Sequence, residues 1–149
     1  NYAIRGRAKA VAGDYEAAIQ DSDRAVSLDA QNIYNFLNRA DVRRMMGDRD
    51  KALADLETSQ EIDAKNPYIY KMRGEIYDEL GEKDTALAAY KEYWKYAPGA
   101  RDIPDEYMKD VDAAAYDKIL KEREKKEKEK KEKEEAKKDA LENKMGEKT

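Results

Sequence analysis

Serine occurs at only three places in this sequence, Ser22, Ser27 and Ser59, and histidine and cysteine are absent. A serine nucleophile needs a base within hydrogen-bond reach, and none of the three has a base-bearing constellation nearby. Without imidazole or thiol there is no histidine general base, no cysteine nucleophile and no ordinary zinc ligand set. Asp21 with Asp23, and Asp48 with Asp50, are close in sequence but lack the glycine and distal glutamate of a calcium loop. Paired carboxylates could do acid–base work, yet in a chain with 34 acidic residues such proximity is ordinary. Each glycine stands alone, so there is no phosphate-cradling loop. These residue types predict no catalytic site, no metal and no cofactor. An enzymatic role is not expected, and attention passes to the surface and to the elements that build it.

Those elements announce themselves through a period. "AGDYEAAIQDS" at 12–22, "MGDRDKALADL" at 46–56 and "LGEKDTALAAY" at 80–90 carry Gly13, Gly47 and Gly81 at intervals of 34 residues. A glycine inside a helix costs roughly 1 kcal/mol against alanine, so three in register need a common reason. Just past a helix end, the chain often takes a left-handed conformation that only glycine adopts without strain. Each glycine therefore marks a turn between paired helices. The acidic residue that follows (Asp14, Asp48, Glu82) falls near the positive N-terminus of the next helix.

Set in register, segments 1–32, 33–66 and 67–100 agree further. Ala18, Ala52 and Ala86 align, as do the small residues Gly6, Ala40 and Gly74, the aromatics Tyr2, Phe36 and Tyr70, and Arg5, Arg39 and Arg73. Small residues let antiparallel helices approach, and the aromatic fills the wedge between units. A period of this length signals a helical repeat array, whose units bury their apolar faces only by stacking.

These segments resemble tetratricopeptide repeats. The third matches best, with Tyr70, Gly74, Tyr77, Gly81, Ala86, Tyr90 and Pro98. The first supplies Tyr2, Gly6, Gly13, Tyr15, Ala18 and Ala25, with Ser22 at the second aromatic position. The middle one has Arg43 in place of the tyrosine and Ser59 at the second alanine, departures that imply looser packing there. The resemblance covers residues 1–100. It implies an all-α, right-handed helical-repeat solenoid of three helix–turn–helix units, whose first helices line a concave groove for an extended peptide or partner helix.

Carried onto this chain, the groove holds Ala3, Arg7 and Ala10 from the first repeat. The second gives Tyr34, Leu37, Asn38, Asp41, Arg44 and Met45; the third gives Tyr68, Lys71, Met72, Glu75, Asp78 and Glu79. Tyr34, Leu37, Asp41 and Arg44 share one helix face by their spacing, and so do Tyr68, Lys71, Glu75 and Asp78. Exposed tyrosine and methionine suit adaptable contacts. The third-repeat end collects Glu75, Asp78 and Glu79 against Lys71, which predicts basic residues in the bound segment at that end. Family members that grip a terminal carboxylate use lysine, asparagine, asparagine, lysine and arginine. Here those positions hold Ala3, Arg7, Asn38, Tyr68 and Met72, so that clamp is not expected. The Arg5, Arg39 and Arg73 ladder is expected to pack its stems and send its heads to solvent or a carboxylate.

Beyond residue 100 the register is lost. Met108, Val111, Ala115 and Ile119 form an apolar stripe over 104–120, which predicts one capping helix within 101–120. It would cover the face carrying Tyr90, Tyr93, Trp94 and Tyr96, with Met108 and Tyr116 as partners. From Leu120 to Ala136 there is no apolar residue, hence no coiled-coil seam. Glu-to-Lys pairs at 122–126, 124–128, 127–131, 129–133 and 134–138 each stabilise a helix by roughly 0.2–0.5 kcal/mol. Residues 121–149 are expected to form a charged helical extension with a frayed end at 143–149.

Charged residues make up 43% of the chain and the net charge is −4. Residues 121–149 hold 12 basic and 10 acidic residues, which leaves an acidic body; nucleic acid is not an expected partner. No apolar run approaches the ~18 residues of a membrane span. The chain opens inside a helical pattern without an initiating methionine, as a fragment or processed product does. No compartment is legible, and the cytoplasm is the default expectation. The expected function is a scaffold for a protein or peptide partner. The alternatives are an assembly module stacking on further repeats or on itself, and an accessory domain of a larger protein.

Overall fold

The computed structural model describes residues 1–148, and every regular element among them is an α-helix. Six helices pair in chain order: α1 (Tyr2–Val11) with α2 (Tyr15–Leu28), α3 (Ile33–Met45) with α4 (Arg49–Ile62), and α5 (Pro67–Glu79) with α6 (Lys83–Tyr96). Each first helix packs on its own partner, α3 also lies against α1 and α2, and α5 against α3 and α4. The result is an all-α solenoid whose first helices form one continuous layer.

The turns show why the period is written in glycine. At each of Gly13, Gly47 and Gly81 φ is positive, between 76° and 88°. The glycine N–H bonds back to Ala10, Arg44 or Asp78, and the following N–H reaches Lys9, Arg43 or Tyr77 at 2.9 Å. These two bonds satisfy carbonyls that the helix end would otherwise strand. The following acidic residue then caps the next helix: Asp14 accepts from the Ala17 N–H and Asp48 from the Lys51 N–H. Glu82, one methylene longer, makes no such bond. Asn1, Asn32 and Asn66 cap the first helices the same way. That explains the recurring "DAxN" before α3 and α5.

Inside each pair, side-chain sizes are matched across the helices. A methyl group on Gly74 would lie 2.7 Å from the Tyr90 ring, and one on Gly6 would lie 2.8 Å from Ser22 Oγ. Between the first two repeats, Ala10, Ala18 and Val42 form a core with Ile19 and Met45 against it. In the middle repeat, the departures from the family pattern are filled by polar side chains. Arg43 reaches Asp55 at 2.8 Å, and Ser59 is fully buried with its hydroxyl on the Asp55 carbonyl. An ion pair and a back-bonded serine fill the space of a tyrosine and an alanine.

The chain divides into two compact units, Asn1–Tyr107 and the residues from Met108 on. In the first, Ile103 and Tyr107 are buried, and Tyr107 packs on Tyr90 with ring centroids 4.9 Å apart. The single helix expected within 101–120 is instead two, α7 (Asp105–Val111) and α8 (Ala113–Glu147). Asp112 interrupts them in an extended conformation, its carboxylate accepting the Ala115 N–H at 3.0 Å. A short acidic side chain that caps a new helix competes with continuing the old one. From there α8 runs on through the charged segment, and residues 121–148 are exposed. The Glu127–Lys131 pair stands at 3.9 Å and Asp117–Lys121 at 2.9 Å. The helix bounds reach Glu147, and of the segment 143–149 Thr149 lies outside the described residues.

Candidate functional site

The layer of first helices is concave, and its hollow is a pocket of about 420 Å³ lined by Arg7, Tyr34, Leu37, Asn38, Asp41, Arg44, Tyr68, Lys71, Met72 and Glu75. The spacing of these residues along α3 and α5 puts them on one face of each helix, and the stacking of α1, α3 and α5 brings the faces together. Tyr34 and Tyr68, one period apart, are the exposed aromatics, at 58% and 53% accessible. Leu37 and Asp41 line the floor and are themselves buried.

Five residues expected in the groove do not line it. Ala3 and Ala10 are buried between helices, and Met45 packs on the core of Ala10, Ala18 and Val42. Asp78 turns away to Lys83, at 2.7 Å, and to the Tyr107 hydroxyl, which together hold its carboxyl below the usual range. Glu79 pairs with Arg44 at 3.0 Å and with Arg49 at 3.2 Å.

The electrostatics differ accordingly from the sequence expectation. Arg7 reaches Asp41 at 2.7 Å, Asp41 holds Arg44 at 3.0 Å, and Arg44 spans to Glu75 at 3.3 Å. Burial pushes the Glu75 carboxyl up, against the opposing pull of Arg44 and Lys71. The acidic cluster read from sequence is thus met by Arg44, Arg49 and Lys83, side chains that spacing along one helix does not bring to mind. Lys71 acts on Glu75 through its charge, while its own ion pair lies elsewhere. Its ammonium bonds Asp102 at 2.9 Å, and that bond raises its pKa.

Asp102 is the residue sequence reasoning missed. Its second oxygen accepts the buried Tyr93 hydroxyl at 2.8 Å. Burial pushes the Asp102 carboxyl up, but Lys71 and Tyr93 outweigh it and leave it lowered. One signal could have found it: Asp102 follows Tyr68 by the same 34 residues that separate Tyr68 from Tyr34. Ile103 likewise follows Ile69, and both are buried. The register outlasts the helical repeats by a few residues.

The arginine ladder is structural. Arg5 bonds Asp21 and Arg39 bonds Asp55, each at 2.8 Å, sixteen residues on in both cases. At the third rung the carboxylate is replaced by Ala89, and Arg73 turns to Gln60 at 2.6 Å. Each guanidinium also lies over its own repeat's aromatic ring: Tyr2, Phe36 or Tyr70.

A tetratricopeptide-repeat family model matches residues 68–99. No curated protein matches the chain. Among solved structures, MamA is 26% identical with a TM-score of 0.58, over 64% of this chain and 56% of that one. The chain thus spans little more than half the length of MamA. The second tetratricopeptide-repeat domain of human RPAP3, solved with the HSP70 peptide SGPTIEEVD, is 23% identical with a TM-score of 0.59, over 67% of this chain and 83% of that one. The Yersinia enterocolitica type III secretion chaperone SycD, in complex with a peptide of the translocator YopD, is 18% identical with a TM-score of 0.60, over 85% of this chain and 92% of that one. Residues 68–99 thus match the tetratricopeptide-repeat model, and the two helix pairs before them carry the same glycine turn in strict register.

Proposed function

We propose that this protein is an interaction scaffold whose groove holds an extended peptide or a partner helix. The observation that carries the reading is the pair of exposed tyrosines, Tyr34 and Tyr68, flanking a concave floor of Leu37 and Met72. Two structures of similar fold, RPAP3 and SycD, were solved with peptides. The groove's arginines and glutamates largely satisfy one another, so the bound segment is anchored by apolar or aromatic side chains over the tyrosines. The basic residues expected of the bound segment at the third-repeat end are not required. A short-peptide phage library selected against the protein tests this. Tyr34→Ala with Tyr68→Ala removes mostly exposed atoms, leaves stability nearly unchanged and weakens selected peptides about tenfold or more. Peptides indifferent to that double variant would sink the reading.

A second reading has an observation of its own. Val42 and Ile76 are fully buried, whereas Ala8, at the same register position, is exposed beside Ile4 and Val11 on α1. That open face favours stacking on further repeats or a second copy. Sedimentation of the protein at rising concentration, compared with Ile4→Glu plus Val11→Glu, separates assembly from groove binding.

A further inference from the structure

At the third-repeat end of the groove, Lys71 and Tyr93 both donate to one carboxylate, and the chain itself supplies it. Tyr93 is buried at 6% accessibility, so its hydroxyl has few other acceptors to turn to. Asp102 comes from an irregular segment, 97–104, rather than from a helix. That segment is bent back by Pro98 and Gly99, where φ is +88° and the Ala100 N–H bonds the Ala97 carbonyl at 3.1 Å. Ile103 anchors it in the core next door. The Asp102 side chain remains 46% accessible. A partly exposed carboxylate on a non-helical segment thus fills a donor pair fixed on two helices. It does so at the register position where the preceding repeats present Tyr34 and Tyr68.

We infer that Asp102 is an internal competitor: the Lys71–Tyr93 donor pair is a carboxylate subsite of the groove, and an acidic side chain of the bound segment enters it by displacing Asp102. This rests on the groove reading above. It uses none of the five positions of the terminal-carboxylate clamp, because Lys71 and Tyr93 stand outside that set. Exchange of one carboxylate for another conserves the charge-assisted bonds to Lys71 and Tyr93, so the cost of displacement is chiefly the ordering of the incoming chain. In the wild type the subsite favours ligands only weakly by charge. With Asp102 removed, it presents an unpaired ammonium and a buried hydroxyl, and an acidic ligand gains both bonds outright.

The test is parallel selection of one random short-peptide phage library against the wild type, Asp102→Ala, and Asp102→Ala combined with Lys71→Met. Asp102→Ala alters a partly exposed side chain outside any helix, and an unchanged melting curve confirms that the fold is kept. The Asp102→Ala pool should be enriched in Asp and Glu over the wild-type pool. Its members should bind Asp102→Ala about tenfold more tightly than wild type. Both effects should vanish with Lys71→Met. Pools of equal acidity that still depend on Tyr34 and Tyr68 would overturn the internal competitor and leave the groove standing. Failure of all three proteins to enrich any Tyr34- and Tyr68-dependent peptide would overturn both.

Discussion

The repeat array and the charged helix α8 are built from the same residue types and use them in opposite ways. In the array, Arg39 and Arg43 converge on Asp55, which is 3% accessible, from turns of α3 that α4 lies against. In α8, Glu127 and Lys131 meet across one turn of a single helix with water on every side. The first arrangement joins two helices and is desolvated. The second joins a helix only to itself. A buried pair costs several kcal/mol to break from one side, whereas an exposed i,i+4 pair contributes a few tenths. Charge content alone therefore says little about stability, and burial decides.

The largest expected effect follows from that contrast. Asp55→Ala takes the shared carboxylate from two largely buried guanidiniums, leaving Arg39 only Asp23 and Arg43 only the Lys51 carbonyl, and should cost about 3–5 kcal/mol in urea unfolding. A cost under about 1 kcal/mol would mean the array treats its charges as α8 does. Next comes Gly74→Ala, whose methyl meets the Tyr90 ring at 2.7 Å; it should cost about 1–3 kcal/mol. Gly47→Ala, in open space but at φ +84°, should cost about 1–2 kcal/mol from backbone strain alone.

The two glycines also show what was legible in the sequence. Gly47 could be placed at a turn from its period, because a helix end with a left-handed residue is a local requirement. The need for Gly74 could be sensed only as smallness, since the ring it avoids lies sixteen residues away. The shared face of Tyr34, Leu37, Asp41 and Arg44 was legible for a similar reason, from helical geometry alone, whereas the groove itself was what the resemblance implied. What was not legible is pairing between elements. Lys71 with Asp102, Glu79 with Arg49, and Asp78 with Tyr107 depend on how α4, α5 and the chain after α6 stack, and no spacing along one helix reports that. The break at Asp112 was missed because the apolar stripe from Met108 to Ile119 keeps helical spacing across it. The cap that interrupts it is a single side chain.

A smaller effect concerns acid. Arg5, with Lys9, holds the Asp21 carboxyl well below the usual range. A lowered pKa in the folded state contributes stability above the ordinary carboxylate range and loses it as pH falls through the folded value. Asp21→Asn should therefore lower stability at neutral pH and flatten the acid limb of the pH–stability curve. Glu75 has the opposite sign, because its raised pKa favours the folded state only at low pH. Glu75→Gln should leave stability at neutral pH unchanged or improved. The smallest effect belongs to α8. Removing residues 121–149 should shift the melting temperature of the array by no more than a degree or two, since the exposed pairs there stabilise only their own helix. A shift of many degrees would erase the contrast drawn above.

The central claim is that the concave face of α1, α3 and α5 is the binding surface. Backbone amide shift perturbation by a library-selected peptide tests it most directly. Perturbations should concentrate on Arg7, on Tyr34 to Arg44 and on Tyr68 to Glu75, and should be lost in the Tyr34→Ala, Tyr68→Ala protein. Perturbations confined to α2, α4 and α6, and unchanged in that variant, would contradict it.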